Sequence, residues 1–75
     1  MQRVVFELRR LDTGGLVHRY ATQSSALTFV SDVVRVGGRK QAVGFVLNEL
    51  DEQGQTCTLA DGMALVRRAL EDRAE

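Results

Sequence analysis

Seventy-five residues with zero net charge, one histidine and one cysteine bound the chain to one small domain. A domain of this size buries only about 60% of the surface its unfolded chain exposes, so its stability margin is thin. Cys57 alone cannot close an intramolecular disulfide, and one His with one Cys cannot make a conventional Cys/His zinc site. With no staple available, self-association is the natural supplement, and a homodimer is expected. No apolar run approaches the ~18 residues of a membrane span, and the N-terminal segment lacks the uninterrupted apolar stretch of a signal peptide. A cytoplasmic protein with no membrane partner is therefore expected.

The charge is balanced but unevenly placed. Residues 1–40 hold Arg3, Arg9, Arg10, Arg19, Arg35, Arg39 and Lys40 against Glu7, Asp12 and Asp32, a net of +4. Residues 41–75 hold Arg67, Arg68 and Arg73 against Glu49, Asp51, Glu52, Asp61, Glu71, Asp72 and Glu75, a net of −4. Two readings follow: the halves attract one another by packing or dimerising, or a basic face meets an anionic partner.

Taken in chain order, Val4, Phe6 and Leu8 alternate with Arg3, Val5, Glu7 and Arg9, the period-2 pattern of a strand with one buried face. Asp12-Thr13-Gly14-Gly15 then supplies turn chemistry. A type I turn at Asp12-Thr13 with Gly14 left-handed sets Leu8 opposite His18, Phe6 opposite Tyr20 and Glu7 opposite Arg19. A four-residue loop ending at Gly15 would shift that register. After Tyr20 the period lengthens. Thr22 or Ser24 suits an N-cap, and Ala26, Leu27, Val30, Val33 and Val34 recur at helical spacing. Gly37 fits the left-handed position that ends a helix, leaving Gly37-Gly38-Arg39-Lys40 as a connecting loop.

The stretch from Ala42 to Leu50 is the most apolar of the chain and reads as a central strand, with Val43, Phe45 and Leu47 facing the helices. Asp51-Glu52-Gln53-Gly54 makes a second turn, followed by a short return strand, Gln55-Thr56-Cys57. Thr58-Leu59-Ala60-Asp61 fits the capping-box pattern, which starts the last helix there. Its buried stripe is then Leu59, Met63, Val66 and Leu70, with Arg68 and Asp72 paired on the exposed side.

The two turns repeat. Leu11-Asp12-Thr13-Gly14-Gly15 aligns with Leu50-Asp51-Glu52-Gln53-Gly54 at a spacing of 39, each set between two strand patterns and followed by a Thr and a helix. The expected architecture is α+β: ββαββα, a four-stranded antiparallel sheet with two helices on one face and an internal duplication. It divides into two ββα halves, 1–36 and 41–75, joined at 37–40.

The run from Asp12 to Thr22, followed by Ala26-Leu27, resembles the strand, turn, strand and helix start of small bacterial HicB-like antitoxin modules and of other small ββαββ modules. The resemblance covers about a third of the chain. It implies the shape of such a module; a regulatory or antitoxin-like role is an expectation for the chain as an interaction module.

Candidate chemistry is sparse. His18 could act as acid or base but has no second titratable group fixed by a motif; beside Leu8 it reads as a packed, hydrogen-bonded histidine. Cys57, expected close to a helix N-terminus, sits where a thiol pKa falls, yet without a matched base it reads as a small apolar filler. Glu49, Asp51 and Glu52 lack the Gly and distant bidentate Glu of a calcium loop and read as a solvated hairpin tip. No phosphate loop, dinucleotide fingerprint or nucleophile elbow occurs.

The basic residues are the remaining candidate. Arg35, Arg39 and Lys40 suit the free carbonyls of a helix end, or, with Arg9 and Arg10, a phosphate-contacting surface for nucleic acid. Balanced charge and few aromatic residues weigh against the second reading. The expectation is a non-enzymatic, dimeric protein-interaction module without cofactor or metal, with nucleic-acid binding through those five residues as the alternative.

Overall fold

The computed structural model describes residues 4–73. Arg3 and Glu75, counted in the charge asymmetry, lie outside that range. The elements are β1 (Val5–Arg10), β2 (Leu16–Tyr20), α1 (Gln23–Gly37), α2 (Arg39–Ala42), β3 (Phe45–Leu50), β4 (Thr56–Asp61) and α3 (Gly62–Arg73). The four strands form one antiparallel sheet in the order β2-β1-β3-β4. Each hairpin thus places its first strand at the centre and its second at an edge.

The first hairpin has the register that its turn chemistry dictates. Phe6 pairs with Tyr20, Glu7 with Arg19 and Leu8 with His18. Gly14 takes a φ of 73°, which a Cβ would strain, and the Thr13 hydroxyl accepts from the Gly15 amide at 3.1 Å. In the second hairpin Asp51 does the same work, its Oδ1 accepting from the amides of Gln53 and Gln55 at 2.9 Å each. Both edge strands carry a bulge that sets one extra residue, Val17 and Leu59, against the core.

The core lies between the sheet and the helices. Phe6, Leu8 and Leu47 come from the strands, Ala26, Leu27 and Val30 from α1, Ala42 from α2, and Leu65, Val66 and Ala69 from α3. Residues 39 apart recur in it: Leu8 and Leu47, Ala26 and Leu65, Leu27 and Val66, Val30 and Ala69, with Phe6 matched by the half-buried Phe45. Leu8 and Leu47 are also direct cross-strand partners. In an antiparallel pair this requires an approximate two-fold axis between them, relating one ββα half to the other. The oppositely charged halves adjoin within one chain, β1 beside β3 and α1 beside α3.

Three expectations are corrected. The stop of α1 moves by one residue: the Gly38 amide donates to the Val34 carbonyl at 2.9 Å, so the helix continues through Gly37, and Gly38 adopts the left-handed φ of 82°. Gly37 has no such requirement: a Cβ there would meet only the end of the exposed Gln41 side chain, which can turn aside.

The connector is also a turn of helix rather than a loop. The amides of Gln41 and Ala42 both point to the Gly38 carbonyl, and Val43 donates to Arg39 at 3.0 Å. Those amides are spent locally, so the strand begins at Phe45 and not at Ala42, and Ala42 is carried into the core.

Finally, Thr58 through Asp61 belong to β4, with Thr58 opposite Asn48 and Ala60 opposite Leu47. The Thr58 hydroxyl donates to Asn48 Oδ1 at 2.9 Å and caps nothing. α3 starts at Gly62, whose φ of 54° turns the chain directly from strand to helix. Its core stripe is consequently Leu65, Val66 and Ala69; Leu59 is not helical and Met63 is 47% exposed. Arg68 donates to the Leu59 carbonyl at 3.4 Å, and no ion pair to Asp72 occurs among the described residues.

Candidate functional site

Alternation sends Phe6, Leu8 and Leu47 toward the helices, so Val5, Glu7 and Arg9 of β1 and Val46, Asn48 and Leu50 of β3 point to the opposite, uncovered sheet face. A polar row crosses this face along the strand order: Arg19, Glu7, Asn48, Thr58. Glu7 Oε2 accepts from Arg19 Nε at 2.9 Å, and Oε1 accepts from Arg9 Nε at 3.3 Å.

The Glu7 side chain is only 5% exposed, although it stands on the open face. The hydrogen bond from Arg19 holds its carboxyl below the usual carboxylate range; burial opposes this and the charge of Arg9 adds to it. No buried side-chain nitrogen or oxygen among the described residues lacks a partner. Around the row stand apolar side chains, half-buried Val5, Val46 and Leu50 and the more exposed Leu16, which is set opposite Arg9.

A second feature lies on the helical side. Met63, Val66, Arg67, Leu70 and Glu71 of α3 line a groove of about 340 Å³ whose other wall carries Arg39 of α2. The floor is apolar and the rim is charged. Neither Arg39 nor Arg67 has a carboxylate partner among the described residues.

The five basic residues singled out in the sequence are spread over several elements. Arg9, on the open face, is bound to Glu7 and donates to the Gly14 carbonyl at 3.0 Å. Arg10 holds Asp12 through two nitrogens, at 3.1 and 3.2 Å. Arg35 pairs with Asp32 at 2.9 Å near the end of α1. Arg39 and Lys40 stand exposed on α2 and are the unpaired members of the set among the described residues.

His18 and Cys57 lie on opposite edge strands, β2 and β4. Three strand spacings of about 4.8 Å put roughly 14 Å between them, too far for one to activate the other. His18 is opposite Leu8 as expected but is exposed, its ring set edge-on to Tyr20 with centroids 4.7 Å apart. Cys57 is exposed on β4, so it fills no core space, and α3 begins five residues beyond it rather than beside it. Glu49, Asp51 and Glu52 border a shallow depression with Val4 and Gln53, where Asp51 is engaged in the turn. Among the described residues no group of three His, Cys, Asp or Glu is placed to hold a metal ion.

The chain matches no family model, no curated protein and no solved structure. Among the described residues no helix is long and apolar enough to cross a membrane.

The pairing of Glu7 with Arg19 follows from the hairpin register. The second grip by Arg9, the Asn48–Thr58 bond and the α2–α3 groove do not, because each depends on which elements the fold brings together.

Proposed function

We propose that the protein is a non-enzymatic interaction module that works as a homodimer, of the regulatory or antitoxin-like kind, and that the uncovered sheet face is the surface joining the two copies. The observation that carries this reading is the pattern of that face: apolar Val5, Val46, Leu50 and Leu16 around a polar row in which Glu7 is held by Arg19 and Arg9, and Asn48 by Thr58. The Glu7 carboxylate, already bonded on both oxygens, can be covered without losing its donors, and Arg19 keeps free nitrogens for a carboxylate of a partner.

The charges of the face are arranged for a two-fold mate. The β1–β2 side presents Arg9 and Arg19 with Glu7, and the β3–β4 side presents Asp61 opposite Val46. A two-fold axis parallel to the strands lays each β1–β2 half over the partner's β3–β4 half, setting net positive against net negative at both ends. Nucleic-acid binding has less support, since three of its five candidate contacts, Arg9, Arg10 and Arg35, are committed to carboxylates.

Sedimentation velocity over a micromolar concentration series tests the proposal. The wild type is expected to sediment as a dimer. Val46→Arg, at a half-buried position on the face, is expected to give a monomer with unchanged circular dichroism. A wild type that stays monomeric, or a Val46→Arg variant that dimerises as before, overturns the reading.

A further inference from the structure

The helix α3 carries more apolar surface than the core consumes. Leu65, Val66 and Ala69 face inward and half-buried Leu70 packs against the same core, while Met63 and the open side of Leu70, at i and i+7, line the groove against α2. Val66 is the shared floor at 1% exposure, and Met63 remains 47% exposed. Flanking them, Arg67 and Glu71 stand one turn apart, and Arg39 stands across from them.

We propose that this groove receives an acidic amphipathic helix of a partner protein, its apolar ridge on Met63 and Leu70 and its carboxylates on Arg39 and Arg67. The walls are helices and the stripe from Met63 to Glu71 runs about 12 Å, two helical turns. A partner helix with anchors at i, i+3, i+4 and i+7 has the matching repeat.

Charge fixes the partner's sign. The groove is lined by two guanidiniums without carboxylate partners among the described residues, Arg39 and Arg67, and by one carboxylate, Glu71. A second copy of the same surface would double that excess of cations, so the groove is not self-complementary. A nucleic-acid backbone would find the cations but gain nothing from the apolar floor.

This inference rests on the reading of the chain as an interaction module, but it uses a different face from the sheet dimer, so the two can fail separately. The probe is a fluorescein-labelled helical peptide of about 18 residues, leucine on one face and glutamate on the other, with a lysine-for-glutamate version as control. Anisotropy titration is expected to show saturable binding of the glutamate peptide and binding of the lysine peptide weaker by about tenfold or more. The Arg39→Glu, Arg67→Glu double variant is expected to reverse that preference. Met63→Asp, at an exposed position where folding is not at stake, is expected to weaken the glutamate peptide by about tenfold.

The monomeric Val46→Arg variant should bind the peptide as the wild type does. Peptide binding by a wild type that never dimerises would sink the sheet-face proposal and leave the groove proposal standing. Equal binding of the two peptides, absence of saturation up to about 1 mM, or indifference to Met63→Asp overturns the groove proposal. So does concentration-dependent self-association that Met63→Asp abolishes, since a second copy would then be the occupant.

Discussion

The two ββα halves share a skeleton and differ in what they wear on it. Leu8 and Leu47, Leu27 and Val66, Val30 and Ala69 occupy corresponding buried places. On the open face the correspondence ends: Glu7 is matched by Val46, Arg9 by Asn48 and Arg19 by Thr58 at the same spacing of 39. The first half secures that face with ion pairs, Glu7 to Arg9 and Arg19; the second uses one neutral hydrogen bond, Thr58 to Asn48. Packing therefore fixes the repeat, while surface chemistry is free to diverge.

If the core follows the two-fold axis, substitutions at its centre should be interchangeable. Leu8 and Leu47 are fully buried and face one another across β1 and β3. Leu8→Ala and Leu47→Ala are each expected to cost about 2–5 kcal/mol in urea unfolding, and to differ by less than about 1 kcal/mol. A gap of about 2 kcal/mol or more would mean that one half holds the fold and the other is built onto it.

What the sequence discloses divides along the same line. The first hairpin was legible because turn residues and alternation agree: Gly14 can take the left-handed position, and only one register then joins Phe6 to Tyr20 and Glu7 to Arg19. In the second half Thr58-Leu59-Ala60-Asp61 satisfies both a capping box and a strand. The choice rests on β3, which pairs with Thr56–Asp61 along its length and whose Asn48 side chain takes the Thr58 hydroxyl. No local pattern contains that partner. A helix read from Thr58 takes Leu59 and Met63 as its buried stripe, whereas the helix from Gly62 buries Leu65 and Ala69 and leaves Met63 exposed at the border of the groove. The four-residue α2 was too short to show a period.

A smaller effect separates the open faces. Glu7→Gln keeps the size and one acceptor but removes the charge held by Arg19 and Arg9. Both arginines remain reachable by water, at 60% and 34% side-chain exposure, so the cost at neutral pH is expected to be about 1–2 kcal/mol. The folded Glu7 carboxyl titrates below its unfolded value near 4.3. Its contribution is therefore complete above that pH and is lost as the pH falls through the folded value. Chemical denaturation between pH 7 and pH 3 should show the wild type and Glu7→Gln converging at the acid end. Val46→Gln, at the matching position of the second half, should run parallel to the wild type throughout. Parallel curves for Glu7→Gln would show that the carboxylate is held no more tightly folded than unfolded.

The smallest expected effect concerns charge that decorates the first half without burying anything. Asp32 and Arg35 meet at 2.9 Å one turn apart on α1, but their side chains are 45% and 71% exposed, and water competes for both. An exposed helical pair of this kind contributes about 0.2–0.5 kcal/mol and is screened by salt. Asp32→Asn should lower the unfolding free energy by no more than that, and the difference should vanish in about 1 M sodium chloride. A cost above about 1 kcal/mol that survives salt would mean the surface charges of the first half hold its structure. The expected outcome means instead that the imbalance between the halves, +4 against −4, leaves stability to the core and to Glu7, and is available for meeting other molecules.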